Sequence, residues 1–178
     1  MAIRMWFIEL ISYLYNWFNT PDGPTLENQM NEVESPHELV LVTHFDATPE
    51  QVWAAWTEPE RFTQWWAAPD WVVSDVVLDV TPRGVFQETQ TSPDGGMVIP
   101  FRGFYREVEK SSRLVFTLTD NDTPDDAARS VLSVQLRAVD GGTEQEIHQT
   151  GVITDEHYDG LKAGTEMFFT RLRDYLTR

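Results

Sequence analysis

Glu146 and His148, two residues apart on a stretch that reads as a strand, are the pair whose spacing suggests acid–base chemistry. Alternate residues of a strand point to the same side, and a carboxylate beside an imidazole can tune the ring for general-base work near neutral pH. Alternation does not say which side is inside. The same spacing suits a solvated polar pair, which is the simpler account, so the two stand only as candidates for catalysis. His37, His44 and His157 are far apart and lack the four-residue spacing of a helical metal pair, so no metal is expected.

Arg102 and Arg106 flank Phe104 at even spacing. Both could meet a ligand carboxylate, or both could be solvated, again the simpler account. The chain has no cysteine, which excludes a disulfide framework, a thiolate zinc site and a cysteine nucleophile. It also lacks a nucleophile elbow, a phosphate-cradling glycine loop and a dinucleotide fingerprint, so no cofactor is expected.

Aromatic residues are the other conspicuous chemistry. WTEPERFTQWW, Trp56 to Trp66, holds three tryptophans and a phenylalanine in eleven positions. Thr48, Pro49 and Gln51 form a helix start with a capping hydroxyl, proline at the first helical position and an amide three residues after the cap. Val52, Trp53 and Trp56 then share a helical face and read as core. Pro59 should end that helix and open a second one carrying Phe62, Trp65 and Trp66. Adjacent helix positions differ by about 100°. Trp65 and Trp66 are therefore expected not to face one core together, and one should meet a pocket wall or mouth.

These residues need a scaffold, and the length of 178 residues suits one domain with a sizeable core. A hydrophobic fraction of 41% with 12% aromatics argues for an ordered globular protein. The net charge of -16, with Lys110 and Lys162 the only lysines, argues against a nucleic-acid partner and describes a strongly hydrated surface.

HELVLVTHF, from His37, reads as a first strand. From Trp71 to about Gly151, strand-like runs alternate with turns, including Asp94-Gly95-Gly96 and Asp140-Gly141-Gly142, and describe an antiparallel meander. Asp120 to Ala128 reads as a longer acidic loop. From Glu156 onward, Tyr158, Leu161, Phe168, Leu172, Tyr175 and Leu176 recur at helical spacing and predict a long closing helix.

Residues 1–20 read as a separate amphipathic helix with Ile3, Trp6, Phe7, Leu10, Leu14 and Trp17 on its apolar face; residues 21–36 read as a linker with three prolines. Glu9 and the lack of a cleavage site argue against a signal peptide. Arg4 and Glu9 leave the segment marginal as a membrane span, and it lacks the basic face of an interfacial helix. It is expected to pack on its own domain, on a second copy or on a membrane surface. The cytoplasm fits the absence of cysteine, with membrane association through residues 1–20 as the alternative.

The order of elements resembles the START-like, or SRPBCC, helix-grip superfamily, and the chain is similar to its heat-shock-protein ATPase activator homologues. The resemblance rests on FDATPEQVWAAWTEPERFTQWW, GFYREVEKSSRLVFT and MFFTRLRDYL and covers about Glu38 to Leu176. Departures are Thr43 where many members carry arginine, Arg83-Gly84 in place of a Gly-Gly pair, Ser111 where proline is common, and the spacing of HQTG.

The resemblance implies an α+β fold at residues 37–178: a curved antiparallel sheet of about six or seven strands around the C-terminal helix, with two short helices after the first strand. It also implies an apolar cavity, for which Trp53, Trp65, Trp66, Phe86, Phe101, Phe104, Phe116, His148 and Phe168 are the candidate lining residues. The expected function is non-catalytic binding of a small hydrophobic molecule, lipid-like or aromatic. The alternatives are a co-chaperone-like interaction module, whose partner is a chaperone, and an enzyme of the polyketide-cyclase or hydrolase kind. Self-association through the N-terminal helix is a further expectation.

Overall fold

The computed structural model describes residues 38–118, 130–151 and 155–178; the expected N-terminal helix, the linker and the loop Asp120 to Ala128 lie outside the described residues. Strand β1, Leu39–Phe45, defines the two faces of the sheet. Its alternation buries Leu39 and Phe45 and leaves Val40, Val42 and His44 in solvent. Helices α1 (Pro49–Thr57) and α2 (Pro59–Phe62) follow, then strands β2 (Val72–Leu78), β3 (Val85–Thr91), β4 (Val98–Glu109), β5 (Arg113–Leu118), β6 (Ser130–Val139) and β7 (Gly142–Gly151). Helix α3, Asp155–Leu176, ends the chain.

The seven strands form one open sheet in the order β1-β7-β6-β5-β4-β3-β2, and every neighbouring pair is antiparallel. Since β1 and β2 are opposite edges, the segment holding α1 and α2 must cross from one edge to the other. That crossing puts its tryptophans against the inner face of the sheet. Local chemistry directs the path: Thr48 and Gln51 form a complete capping box, and Pro49 opens α1. Glu58 ends α1 and precedes Pro59, which opens α2.

Curvature is concentrated where the sheet changes partners. Residues Val98 to Phe104 of β4 pair with β3, whereas Tyr105 to Glu109 pair with β5. The register slips between Tyr105 and Glu107, and an extra residue of this kind bends a strand. A second slip lies between Ser74 and Val77 on β2. Gly103 permits the bend at β4, because a Cβ there would stand 1.6 Å from the carbonyl oxygen of Thr117.

The core lies between the inner face and the helices. From α3 it takes Phe169 and Leu172, with Phe168, Tyr175 and Leu176 partly buried beside them. Phe169 was not in the apolar stripe expected from spacing; it and Phe168 straddle the buried line of the helix. Among the described residues, no helix is long and apolar enough to cross a membrane.

Gly103→Ala is expected to cost about 2–3 kcal/mol or more, because the new methyl meets backbone rather than a movable side chain. Thermal unfolding checks this against Gly95→Asn, at a turn position with φ 69° and no neighbour within 4 Å, which should change little.

Candidate functional site

Two of the three indole N–H groups of the tryptophan segment reach the sheet, and the third bonds within the segment. Trp56 donates to Oε1 of Gln145 on β7 at 2.8 Å, Trp65 to the carbonyl of Ala55 at 2.9 Å, and Trp66 to Oε1 of Glu88 on β3 at 3.0 Å. All three rings are buried, with centroids 4.7 to 5.4 Å apart. The expectation that Trp65 and Trp66 cannot share one core is corrected here. Past Phe62 the chain continues in helical turns, with Trp66 N–H on the Phe62 carbonyl at 3.1 Å, until Ala67 N–H bonds back to the Trp65 carbonyl at 2.9 Å. The two rings lie 85° apart, Trp65 under α1 and Trp66 on the sheet, and aromatic neighbours enclose both.

Glu88 is the chemically unusual member of this layer. Phe86, Glu88 and Gln90 alternate onto the inner face of β3, and all three are buried. The Glu88 side chain, 1% exposed, receives Trp66 Nε1 and Gln90 Nε2, each at 3.0 Å, on the same oxygen, Oε1. Its Oε2 is buried with no hydrogen-bond partner among the described residues. Burial raises the carboxyl to about 8 against the two hydrogen bonds that lower it. At neutral pH the group is therefore mainly a neutral acid. An indole N–H and an amide N–H occupy Oε1, so the proton resides on Oε2.

Among the described residues, two further buried side-chain atoms have no hydrogen-bond partner: Oη of Tyr105 on β4 and Nε2 of Gln145. Burial pushes the Tyr105 phenol up, reinforced by Asp79, so it stays protonated. Phe101 is the cross-strand partner of Glu88, and Phe168 stacks on Trp66 at 5.1 Å and 16°.

The sequence-derived candidates divide between the faces. Trp65, Trp66, Phe86 and Phe116 are buried in the inner cluster, and Trp53, Phe101 and Phe168 pack against it partly buried. Phe104 lies on the outer face, paired with the exposed Val85. His148 and Glu146 share a face as alternation requires, and it is the outer one. They pair across β1 with Val40 and Val42, each 52% exposed. His148 meets Glu38 at 3.0 Å and Glu146 meets Arg137 at 3.5 Å, so neither addresses the other or the inner face. Arg102 and Arg106 are exposed.

Glu88 escaped the sequence reading because GVFQETQT is polar on both faces apart from its valine and phenylalanine. Its signal was phase: the carboxyl and Gln90 lie in step with Phe86, the bulky apolar residue of the strand. No group of three or more His, Cys, Asp or Glu side chains among the described residues could hold a metal.

Residues 46–177 match the family model described as Activator of Hsp90 ATPase homolog 1-like protein. Among curated proteins, none matches the chain. A protein of Chromobacterium violaceum shares the fold at a TM-score of 0.70 and 20% identity over 80% of this chain and 99% of that one. For a Rhodobacter sphaeroides protein the values are 0.67 and 26%, over 82% and 95%. For an AHSA1-like protein of Aeromonas hydrophila they are 0.64 and 22%, over 78% and 93%.

The neutral acid has a consequence for stability. In the unfolded chain Glu88 ionises near its ordinary value of 4.5, whereas in the fold it holds its proton to about 8. Between those values the unfolded chain binds fewer protons, so this group makes stability fall as pH rises from about 4.5 to about 8. Glu88→Gln should remove that dependence and melt roughly 5–10 °C above the wild type at pH 8, with a smaller gap at pH 4.5. Calorimetry at both pH values checks this; an offset equal at the two would contradict it.

Proposed function

Since the chain belongs to the Activator of Hsp90 ATPase homolog 1-like family, within the helix-grip superfamily, we propose that it binds a small, largely hydrophobic molecule between the inner face of the sheet and α3, without catalysis. The observation that carries this reading is the buried Glu88 carboxyl, set among aromatic rings with one oxygen unmatched among the described residues. Leaving a buried polar group without a partner costs about 1–3 kcal/mol. A ligand that supplies the partner recovers that energy, and the surrounding rings supply the apolar contact typical of small-molecule sites. Phe101 and Phe168, partly buried beside Glu88 and Trp66, are the side chains such a ligand would displace or lie against.

Non-catalytic binding is favoured over a cyclase or hydrolase because the one acid–base pair suggested by spacing, Glu146 and His148, is on the outer face. On the inner face, Glu88 has an indole and an amide as its partners, neither of them a nucleophile or a base. The family description favours a second reading, a co-chaperone-like role through the surface. Its structural support is the pair of exposed valines, Val40 and Val42, on the edge strand β1. Stimulation of a chaperone ATPase by the full chain, lost in Val40→Lys with Val42→Lys, would select that reading.

For ligand binding, native mass spectrometry of the full chain should show a non-covalent adduct that organic extraction removes. The extracted protein should then bind apolar aromatic probes with quenching of tryptophan fluorescence. Phe168→Ala should weaken that binding roughly tenfold, the scale of one aromatic contact. Neither adduct nor quenching would contradict the reading.

A further inference from the structure

The buried polar atoms left without partners have one property in common. An indole N–H is a donor with no acceptor capacity, so it fixes what it touches. Trp56 holds the Gln145 oxygen, which turns that amide's Nε2 and its hydrogens elsewhere. Trp66 and the Gln90 amide together hold Oε1 of Glu88, which puts the acid hydrogen on Oε2. The third atom, the Tyr105 hydroxyl, also carries a hydrogen. These three are the buried side-chain polar atoms lacking a partner among the described residues, and every one can donate. They come from β3, β4 and β7, all on the inner face.

We infer that the molecule held on this face presents hydrogen-bond acceptors, and that its principal polar atom is a carbonyl oxygen taken by the Oε2 hydrogen of Glu88. This rests on the apolar-ligand reading above and narrows it to neutral, ring-bearing ketones and quinone-like compounds. A cationic ligand would require the ionised carboxylate. Glu88 has no basic side chain within ion-pairing distance among the described residues, and its burial opposes ionisation. A hydroxyl could accept from these atoms too, but its own hydrogen would then need a buried acceptor, a demand that a carbonyl oxygen does not make. The stacked faces of Trp66 and Phe168 suit a flat ring system.

Fluorene, fluorenone and 9-aminofluorene share one flat skeleton and differ only at the central carbon, so their affinities for the extracted full chain at pH 7, read by tryptophan quenching, isolate the polar contact. Fluorenone should bind about tenfold more tightly than fluorene, the effect of one buried hydrogen bond of about 1.4 kcal/mol. Glu88→Gln should retain that preference, since its amide sets an N–H where the acid hydrogen was. Glu88→Leu should bind ketone and hydrocarbon alike. The carbonyl stretch of bound fluorenone should shift to lower frequency in the wild type and not in Glu88→Leu. Equal affinity of the wild type for ketone and hydrocarbon overturns this inference and leaves the apolar-ligand reading standing. Tightest binding of the amine also overturns it, by showing that the site prefers a hydrogen-bond donor to an acceptor. Binding of none of the three overturns both.

Discussion

The hydrogen bond from Trp66 Nε1 to Glu88 Oε1, 3.0 Å long and buried, joins the crossing segment to the sheet. Its chemistry follows from what an indole lacks. With no acceptor capacity of its own, the Trp66 N–H needs an acceptor, and once Glu88 Oε1 supplies it, with Gln90 on the same atom, the acid proton is confined to the other oxygen. Burial then keeps that proton in place at neutral pH. A neutral acid in the middle of an aromatic layer is costly to leave unmatched and inexpensive to bury compared with an anion. The structural role of Trp66 and the chemical state of Glu88 are thus one interaction seen from two sides.

The other tryptophans obey the same rule. Trp56 ties the crossing segment to Gln145 on β7, and Trp65 bonds back to α1 and so holds the two halves of that segment together. Helix α3 seals the layer with Phe169 and Leu172, while Arg171 donates to the Trp65 carbonyl at 3.2 Å. The curvature made by Gly103 and the slip at Tyr105 turns the inner residues of β3 and β4 toward the helices. The fold therefore gathers its unmatched donors onto its most apolar face.

Much of the architecture was legible in the residues because it depends on local rules. Thr48, Pro49 and Gln51 marked the start of α1, Pro59 the start of α2, and the two Asp-Gly-Gly turns the hairpins, with Gly95 and Gly141 at positive φ. The site was less legible because it depends on which strand face is inside. That unknown left His148, Glu146 and Phe104 as candidates and hid Glu88, whose strand is polar on both sides. The reading of Trp65 and Trp66 failed for another reason: it allowed the segment only one buried side, whereas α1 covers one ring and the sheet with Phe168 of α3 covers the other.

Glu88 holding its proton on a buried oxygen with no partner among the described residues is open to infrared difference spectroscopy between the wild type and Glu88→Gln at pH 7. The wild type should show a protonated-carboxyl stretching band that the variant lacks, shifted by deuterium exchange and lost as pH rises past about 8. A carboxylate band in its place at pH 7 would contradict it.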